Sequence, residues 1–356
     1  MLVACLAIAA CGESSVPATS TGAQGAPLTA RYAVGLTQVA WTDPSRPTPQ
    51  NGAAAAHAGR HLPTMIWYPA VGAVDAAVAN EAAPAAGRFA AVLFVHGSAG
   101  AASLYSKLCA ALASRGYVVA AADFPLTALS TPGGPSDWHA EDQYGDLVFL
   151  ADQLLGSAAP ALLRETVDAA KGYAVVGHST GGTVALLAAF APEMHDPRLR
   201  AVADLSGDSC FFADTFFATR STPFLAVAAS DDLLVPPANN PVRAFELSTG
   251  PAVLARLHGA THLQMTNLAL GDPTDSTPTG LDDPLAQTMA RWGTAAACRP
   301  IPPPAGVPKL GHDQQLDLTA TVVRAFFDAH IYAAPVGLAA LRTGGDPNLT
   351  LQVKAE

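Results

Sequence analysis

Charge is what this sequence has least of. Only 13% of its 356 residues are Asp, Glu, Lys or Arg, while 50% are hydrophobic. The charged share is about half of the ~25% usual for soluble domains. That excludes a disordered or heavily solvated chain, which needs charge in excess of apolar surface. Positive charge is the scarcer sign: 19 Lys and Arg stand against 29 Asp and Glu, for a net charge of -10. No basic stripe is present, so nucleic acid is not expected as a partner. No C-x-x-C pair and no H-E-x-x-H occur, so no metal is expected, and no other cofactor. No internal repeat is visible. The apolar opening, "MLVACLAIAA", is too short to span a bilayer, which takes roughly 20 apolar residues.

That opening has the look of a secretory h-region. "IAAC" ends on Cys11 and resembles the bacterial lipobox, in which the Cys carries the lipid of a lipoprotein. The resemblance implies an export signal over residues 1–11, lipidation at Cys11 and an envelope location with a lipid anchor. No Lys or Arg precedes the apolar run, so a plain secreted protein and a cytoplasmic one stay open. Residues 12–30, rich in Ser, Thr, Gly, Ala and Pro, are expected to be a flexible tether. Of five cysteines, Cys5 and Cys11 belong to the export segment, and Cys109 falls on a helical pattern as a buried apolar residue. Cys210 and Cys298 either pair, clamping a late insertion in an oxidising compartment, or remain two thiols. Spacing alone gives no distance between them.

Residues 31–356 are expected to form a single catalytic domain. Stretches 31–41 and 62–69 are strand-like and joined without a helix, which suggests an antiparallel start. An alternation then sets in. "FAAVLFVHG", "YVVAAAD", "GYAVVG", "LRAVADLSG", "TPFLAVAASDD" and "AVLARLHGATH" are apolar strands. Between them lie helical patterns at 104–116, 140–155, 160–171, 181–190 and near 237–248, and "LTATVVRAFFDAHI" closes the chain as an amphipathic helix. Apolar strands alternating with helices predict an α/β fold, a mostly parallel central sheet with helices on both faces. Residues 267–315 interrupt the rhythm as a long insertion with one short helical stretch, "PLAQTMARW".

The chemistry-bearing residues all fall after strands, where ligand sites of such sheets lie. "GHSTGG" is a G-x-S-x-G motif of Gly177, Ser179 and Gly181, with a strand before it and a helix after. A sharp turn there lifts a hydroxyl above the sheet and aims helix N–H groups at a developing oxyanion. A glycine turn with an incidental serine is the plain alternative, and the partners decide against it. A serine needs a base. His96 and His178 sit inside the motifs and are expected to orient backbone, His258 lies in a strand pattern, and His312 is an outsider in the insertion. His262, past Gly259 on the loop after the last strand, is the expected base. The base needs a carboxylate. "SDDLLVPP" offers Asp231 and Asp232, with Asp232 preferred. Asp204 in "VADLSGD" is the alternative acid. The order Ser, Asp, His is that of an α/β-hydrolase. The Thr180 N–H and an N–H from "HGSAG", with Ser98 favoured, would form the oxyanion hole.

With these residues in place the chain resembles the serine α/β-hydrolases. More narrowly, it is similar to the group of platelet-activating-factor acetylhydrolases, dienelactone-hydrolase-like esterases and cutinase-like polyesterases. The resemblance rests on "HLPTMIWYPA", "VLFVHGSAGAASLYSKLCAALASRGYVVAAADFP", "VVGHSTGG" and "AVAASDDLLVPP…LHGATH". It implies Ser179 as nucleophile, His262 as base, and Ser98 and Thr180 as oxyanion donors. The animal acetylhydrolases favour Asp204 as the acid. The D-x-x-x-P context of the bacterial esterases matches Asp232 and Pro236. Dienelactone hydrolase proper uses cysteine where this chain has Ser179, so that activity is not implied. The expected function is hydrolysis of small or polymeric carboxylic esters with short or medium acyl groups, by a monomer. Tyr105, Phe124, Trp138 and Phe211 are candidate cleft or core aromatics. A thioesterase, peptidase or acyltransferase on the same triad, or an inactive surface binding lipoprotein, are the alternatives.

Overall fold

A computed structural model describes residues 30–272, 284–293, 298 and 309–354. The expected export segment with Cys11, the tether up to residue 29 and most of the 267–315 insertion lie outside the described residues.

The strands are β1 (Ala33–Asp43), β2 (Arg60–Ala70), β3 (Ala79–Asn80), β4 (Ala90–Val95), β5 (Tyr117–Ala122), β6 (Tyr173–His178), β7 (Leu199–Leu205), β8 (Phe224–Ala229), β9 (Ala252–Leu257) and β10 (Leu349–Val353). The helices are α1 (Ser106–Ala113), α2 (Asp142–Leu155), α3 (Thr180–Phe190), α4 (Pro241–Leu247), α5 (Pro284–Thr288), α6 (His312–Ile331) and α7 (Val336–Gly344). All ten strands share one sheet, ordered β10-β9-β8-β7-β6-β4-β5-β2-β1-β3. From β5 through β4, β6, β7 and β8 to β9 every pairing is parallel, whereas β1–β2, β2–β5 and β9–β10 are antiparallel.

Side-chain alternation explains why the sheet is covered on both faces. In β4, Ala91, Leu93 and Val95 enter the core beneath α2, α3 and α4, while Ala90, Val92 and Phe94 enter the core beneath α1 and α6. Every residue of β4, β5, β6 and β8 is buried, which is why these strands read as unbroken apolar runs. All eleven residues of α3 are buried as well, so "TGGTVALLAAF" needs no polar face.

The chain order places the site. After β4 it adds β5 on one side, then crosses to add β6 on the other. Strand order reverses there, and a crevice opens at the carboxyl ends of β4 and β6. The "HGSAG" loop leaves β4 and the "GHSTGG" turn leaves β6 at that point.

Three expectations are corrected. Residues 160–171 form no α-helix, only 3₁₀ turns at Ala161–Leu163 and Ala169–Lys171. Between them the backbone is drawn onto the sheet: Phe89 N–H donates to Thr166 O at 2.8 Å, and Asp168 N–H to Phe89 O at 2.8 Å. The helix expected near 237–248 is split into a 3₁₀ turn, Pro237–Asn239, and α4, because Pro241 has no N–H to continue it. The chain does not close on α6: α7 follows, and β10 returns to pair with β9.

Cys210, after β7, and Cys298 form a disulfide, with Cα atoms 4.9 Å apart. It pins the insertion beside the α3 face, where Trp292 Nε1 donates to Glu193 at 2.7 Å and Met289 is buried. Cys109 is buried in α1 as a free thiol, which burial pushes far above its ordinary pKa. Among the described residues, no helix is long and apolar enough to cross a membrane.

Candidate active site

Ser179 links the end of β6 to the start of α3 with φ 56° and ψ -127°. This is a costly conformation for a residue with a Cβ, worth about 1–3 kcal/mol. The flanking glycines are steric requirements. A Cβ on Gly177 would lie 2.0 Å from Gly181 O, and one on Gly181 would lie 2.2 Å from Val95 O. The turn is held by Ser179 N–H donating to Leu205 O at 3.1 Å and Thr183 N–H donating to Ser179 O at 3.1 Å.

Asp232 follows β8 and is buried. Its Oδ1 accepts from Leu234 N–H at 3.0 Å and Val235 N–H at 2.6 Å, and its Oδ2 meets His262 Nδ1 at 2.7 Å. A carboxylate acceptor at Nδ1 keeps the proton there and leaves Nε2 as the basic atom. The His262 ring lies over the His178 ring, centroids 4.5 Å apart. His178 precedes Ser179, so the contact sets the imidazole beside the turn. Burial pulls the His262 pKa down, but Asp232, with Asp272 and Asp208 beyond it, outweighs burial and raises it above its ordinary value.

His178 is kept neutral: burial and then the neighbouring His262 drive its pKa far down. The Tyr105 hydroxyl accepts from Gly97 N–H at 3.2 Å and meets His178 Nδ1 at 2.9 Å. One phenol thus braces the first residues of both loops. His96 accepts from Phe124 N–H at 3.1 Å through Nε2, and its Nδ1 lies 2.8 Å from Gly97 O. Both histidines orient their loops, as their positions in the motifs led us to expect.

The other candidates lie elsewhere. His258 Nε2 contacts Thr350 Oγ1 at 2.8 Å, across to β10. His312 Nε2 contacts Thr266 O at 2.8 Å at the head of α6. Asp231 pairs with Lys309 at 2.7 Å. Asp204 is fully buried behind the turn, where its Oδ1 accepts from Gly207 N–H at 2.7 Å. Burial pushes its pKa up to about 7. Its two carboxyl oxygens make no hydrogen bond to His262 among the described residues, so Asp232, not Asp204, stands behind the imidazole.

Two backbone donors next to the turn have no acceptor among the described residues. Thr180 opens α3, so its N–H has no acceptor within the helix. In the β4 loop, Gly97 N–H donates to Tyr105, Ala99 N–H to Thr127 O at 3.0 Å and Gly100 N–H to Gly97 O at 3.0 Å. The Ser98 amide has no such partner among the described residues. The loop packs tightly on the serine: a Cβ on Gly97 would lie 2.9 Å from Ser179 Cβ. The Ser98 hydroxyl is turned away, donating to Asp137 at 3.0 Å.

One functional candidate escaped the sequence reading. Asp272 Oδ2 accepts from Leu233 N–H and His262 N–H, both at 3.0 Å, and its Oδ1 accepts from Leu263 N–H at 2.9 Å. One carboxylate therefore straps the loop of the acid to the loop of the base. It lies ten residues past His262 at the start of the insertion, where no motif marks it. Of the aromatic candidates, Tyr105 and Phe211 are buried in the core, while Phe124 borders a cavity described below. Among the described residues, no three His, Cys, Asp or Glu are gathered as a metal site.

Comparison with known proteins agrees with this architecture. A family model described as Chlorophyllase matches residues 76–205. No curated protein matches the chain significantly. Among solved structures, the ferulic acid esterase from Streptomyces cinnamoneus superposes with a TM-score of 0.63 at 23% identity, covering 92% of this chain and 98% of that one. At that identity the likeness speaks for the fold. The chain has the fold of a serine α/β-hydrolase, and the family model matching its central part is that of an α/β-hydrolase esterase family.

Proposed function

We propose that the protein hydrolyses carboxylic esters through an acyl-enzyme formed on Ser179. The observation that carries this is the buried His262–Asp232 pair, joined at 2.7 Å, with the His262 ring packed against the residue that precedes a strained serine. His262 Nε2 takes the Ser179 proton as the hydroxyl attacks the carbonyl, and returns it to the departing alcohol. Asp232 fixes the tautomer and balances the imidazolium. The Ser98 and Thr180 N–H groups receive the oxyanion, and the α3 dipole adds to them. Water, activated by the same His262, then releases the acid.

The names of the matched proteins support the ester as the bond attacked: one is an esterase by title, and the family model is that of an esterase family. A short or medium acyl group is the substrate class we infer. The test is Ser179→Ala, which is expected to cut turnover of p-nitrophenyl acetate and butyrate by on the order of 10⁶ with an unchanged melting temperature. A fluorophosphonate probe should label the wild type at Ser179 and leave the variant unlabelled. Turnover retained by a folded variant overturns the reading.

On the sequence reading the enzyme is exported and carries a lipid on Cys11. The "IAAC" stretch supports this, and the Cys210–Cys298 disulfide suits an oxidising compartment. Incorporation of a labelled fatty acid that is lost in Cys11→Ser checks it.

A further inference from the structure

A cavity of about 630 Å³ lies between the β1–β2 connection and the segment after β5, and no triad residue lines it. Its volume lies within the range of small-molecule sites, ~300–1,000 Å³. Its walls are the β1–β2 connection, including Thr48, Ala55 and Ala58, and the segment after β5, including Phe124, Leu126 and Thr131.

Position relates it to Ser179. The segment at 123–132 leaves the carboxyl end of β5, and Thr64 of β2 pairs with Ala122 there, so Pro63 and His61 stand at the same edge. Ser179 leaves the carboxyl end of β6. In the order β6-β4-β5-β2-β1 the cavity begins two strands away, about 10 Å at ~4.8 Å per strand. The intervening strand is β4, whose loop holds Ser98.

The walls are braced. Asn51 Nδ2 donates to Pro132 O at 2.9 Å and to Gly134 O at 2.6 Å, tying one wall to the other. Thr48 and His57 exchange two backbone hydrogen bonds at 2.9 Å. The far wall is also bonded to the β4 loop. Ala99 N–H donates to Thr127 O at 3.0 Å, and Leu129 N–H donates to Gly100 O at 2.7 Å.

The lining defines a ligand chemistry. No Lys or Arg faces the space, so an anion has no partner there. The Asp123 carboxylate accepts from Ala102 N–H at 2.7 Å. The remaining surface is mostly Pro, Ala, Leu and Phe, with hydroxyl groups, the Asn51 amide and the His57 and His61 rings. Leu129, between two lining residues, is 62% exposed and extends the apolar surface at the edge.

We propose that this cavity is a distal subsite for a neutral, largely apolar arm of the ester that reaches about 10 Å from the carbonyl held at Ser179. The proposal rests on Ser179 as the nucleophile. It adds to the ester class proposed above an extended alkyl or aryl arm, either on the alcohol or as an acyl group of medium length.

Ala55 and Ala58 are exposed lining residues, so a larger side chain can fill the space without entering the core. The experiment compares wild type, Ala58→Trp and Ala55→Trp on two series. p-Nitrophenyl esters from acetate to dodecanoate lengthen the acyl arm, and acetate esters of longer alcohols lengthen the other. In the wild type, kcat/KM should rise at least tenfold along one series, which names the arm. Filling the cavity should abolish that gain through KM and leave p-nitrophenyl acetate within twofold. Equal loss on acetate and on the long esters, or no loss on either, overturns the proposal. Binding of a non-hydrolysable long-chain amide to Ser179→Ala, with and without Ala58→Trp, separates the two readings. If Ser179→Ala still turns over esters, the nucleophile reading fails. If it binds the amide equally well with the cavity filled, the subsite fails.

Discussion

Two fully buried carboxylates, Asp146 and Asp232, have opposite fates set by their partners. Asp146 lies on α2 and receives Arg60 Nε at 2.5 Å, Arg60 NH2 at 2.6 Å and Arg46 NH2 at 2.5 Å. Arg46 also holds Asp43 at 2.8 Å. Guanidinium does not release its proton, so Asp146 faces fixed positive charge. It clamps the β1–β2 connection, and with it one wall of the cavity, onto α2. Asp232 receives two backbone N–H groups and one imidazole. The imidazole can gain and lose charge near neutral pH, and its second nitrogen is directed elsewhere. Burial makes both carboxylates consequential, but only the second is attached to a group that titrates.

The comparison can be broken most directly at Asp232. Asp232→Asn should lower kcat by about 10⁴-fold, because the amide favours the wrong tautomer. Its melting temperature should stay near that of the wild type. Activity within tenfold of wild type would show that Asp232 is only a strand-end cap. At Asp146 the effect should fall on stability instead. Asp146→Ala leaves Arg60 buried and unpaired, at an expected cost of about 3–5 kcal/mol. Urea unfolding measures it, and kcat per folded molecule should change by less than threefold. A loss below 1 kcal/mol would mean that the cluster is as dispensable as a surface pair.

Asp272 lies between these extremes, since it touches backbone rather than the imidazole ring. Asp272→Ala frees three N–H groups and lets the acid and base loops drift. A displacement near 1 Å costs about 10²-fold, and it should appear in kcat with KM unchanged. Asp272→Asn should recover part of it, because the amide oxygen still accepts. A change confined to KM would place Asp272 in substrate binding instead.

The smallest expected effect is in pH. The mechanism proposed above needs neutral His262, whose pKa is raised above its ordinary 6.5 because its carboxylate neighbours outweigh burial. The kcat/KM profile should therefore fall on the acid side, with a midpoint above 6.5. Around the ring stand Asp232, Asp272, Asp208, the buried Asp204 and the neutral His178. Removing the charge in Asp272→Asn should move that midpoint down. A wild-type midpoint below 6.5 would mean that burial wins.

Local patterns made much of this legible. Apolar runs bounded by turns marked β4 to β9, because strands buried on both faces leave no polar alternation to confuse them. "GHSTGG" announced its turn because only glycines fit at Gly177 and Gly181. Residues 160–171 misled because a helical pattern says nothing about Phe89, which captures that backbone. β10 went unread because "LTLQV" is a short edge strand whose partner, β9, lies about ninety residues earlier in the chain. Asp272 was invisible because its partners are backbone amides, and amides leave no mark in a sequence.

The sequence by itself determined the layered fold, the serine on its turn and the order of acid and base, since these follow from periodicity and from local steric need. Only the tertiary structure decided between Asp232 and Asp204, joined Cys210 to Cys298, recruited Asp272 and opened the cavity behind the β4 loop. Those are distances between residues far apart in the chain, and they exist only once the strands are paired and the loops meet at one edge.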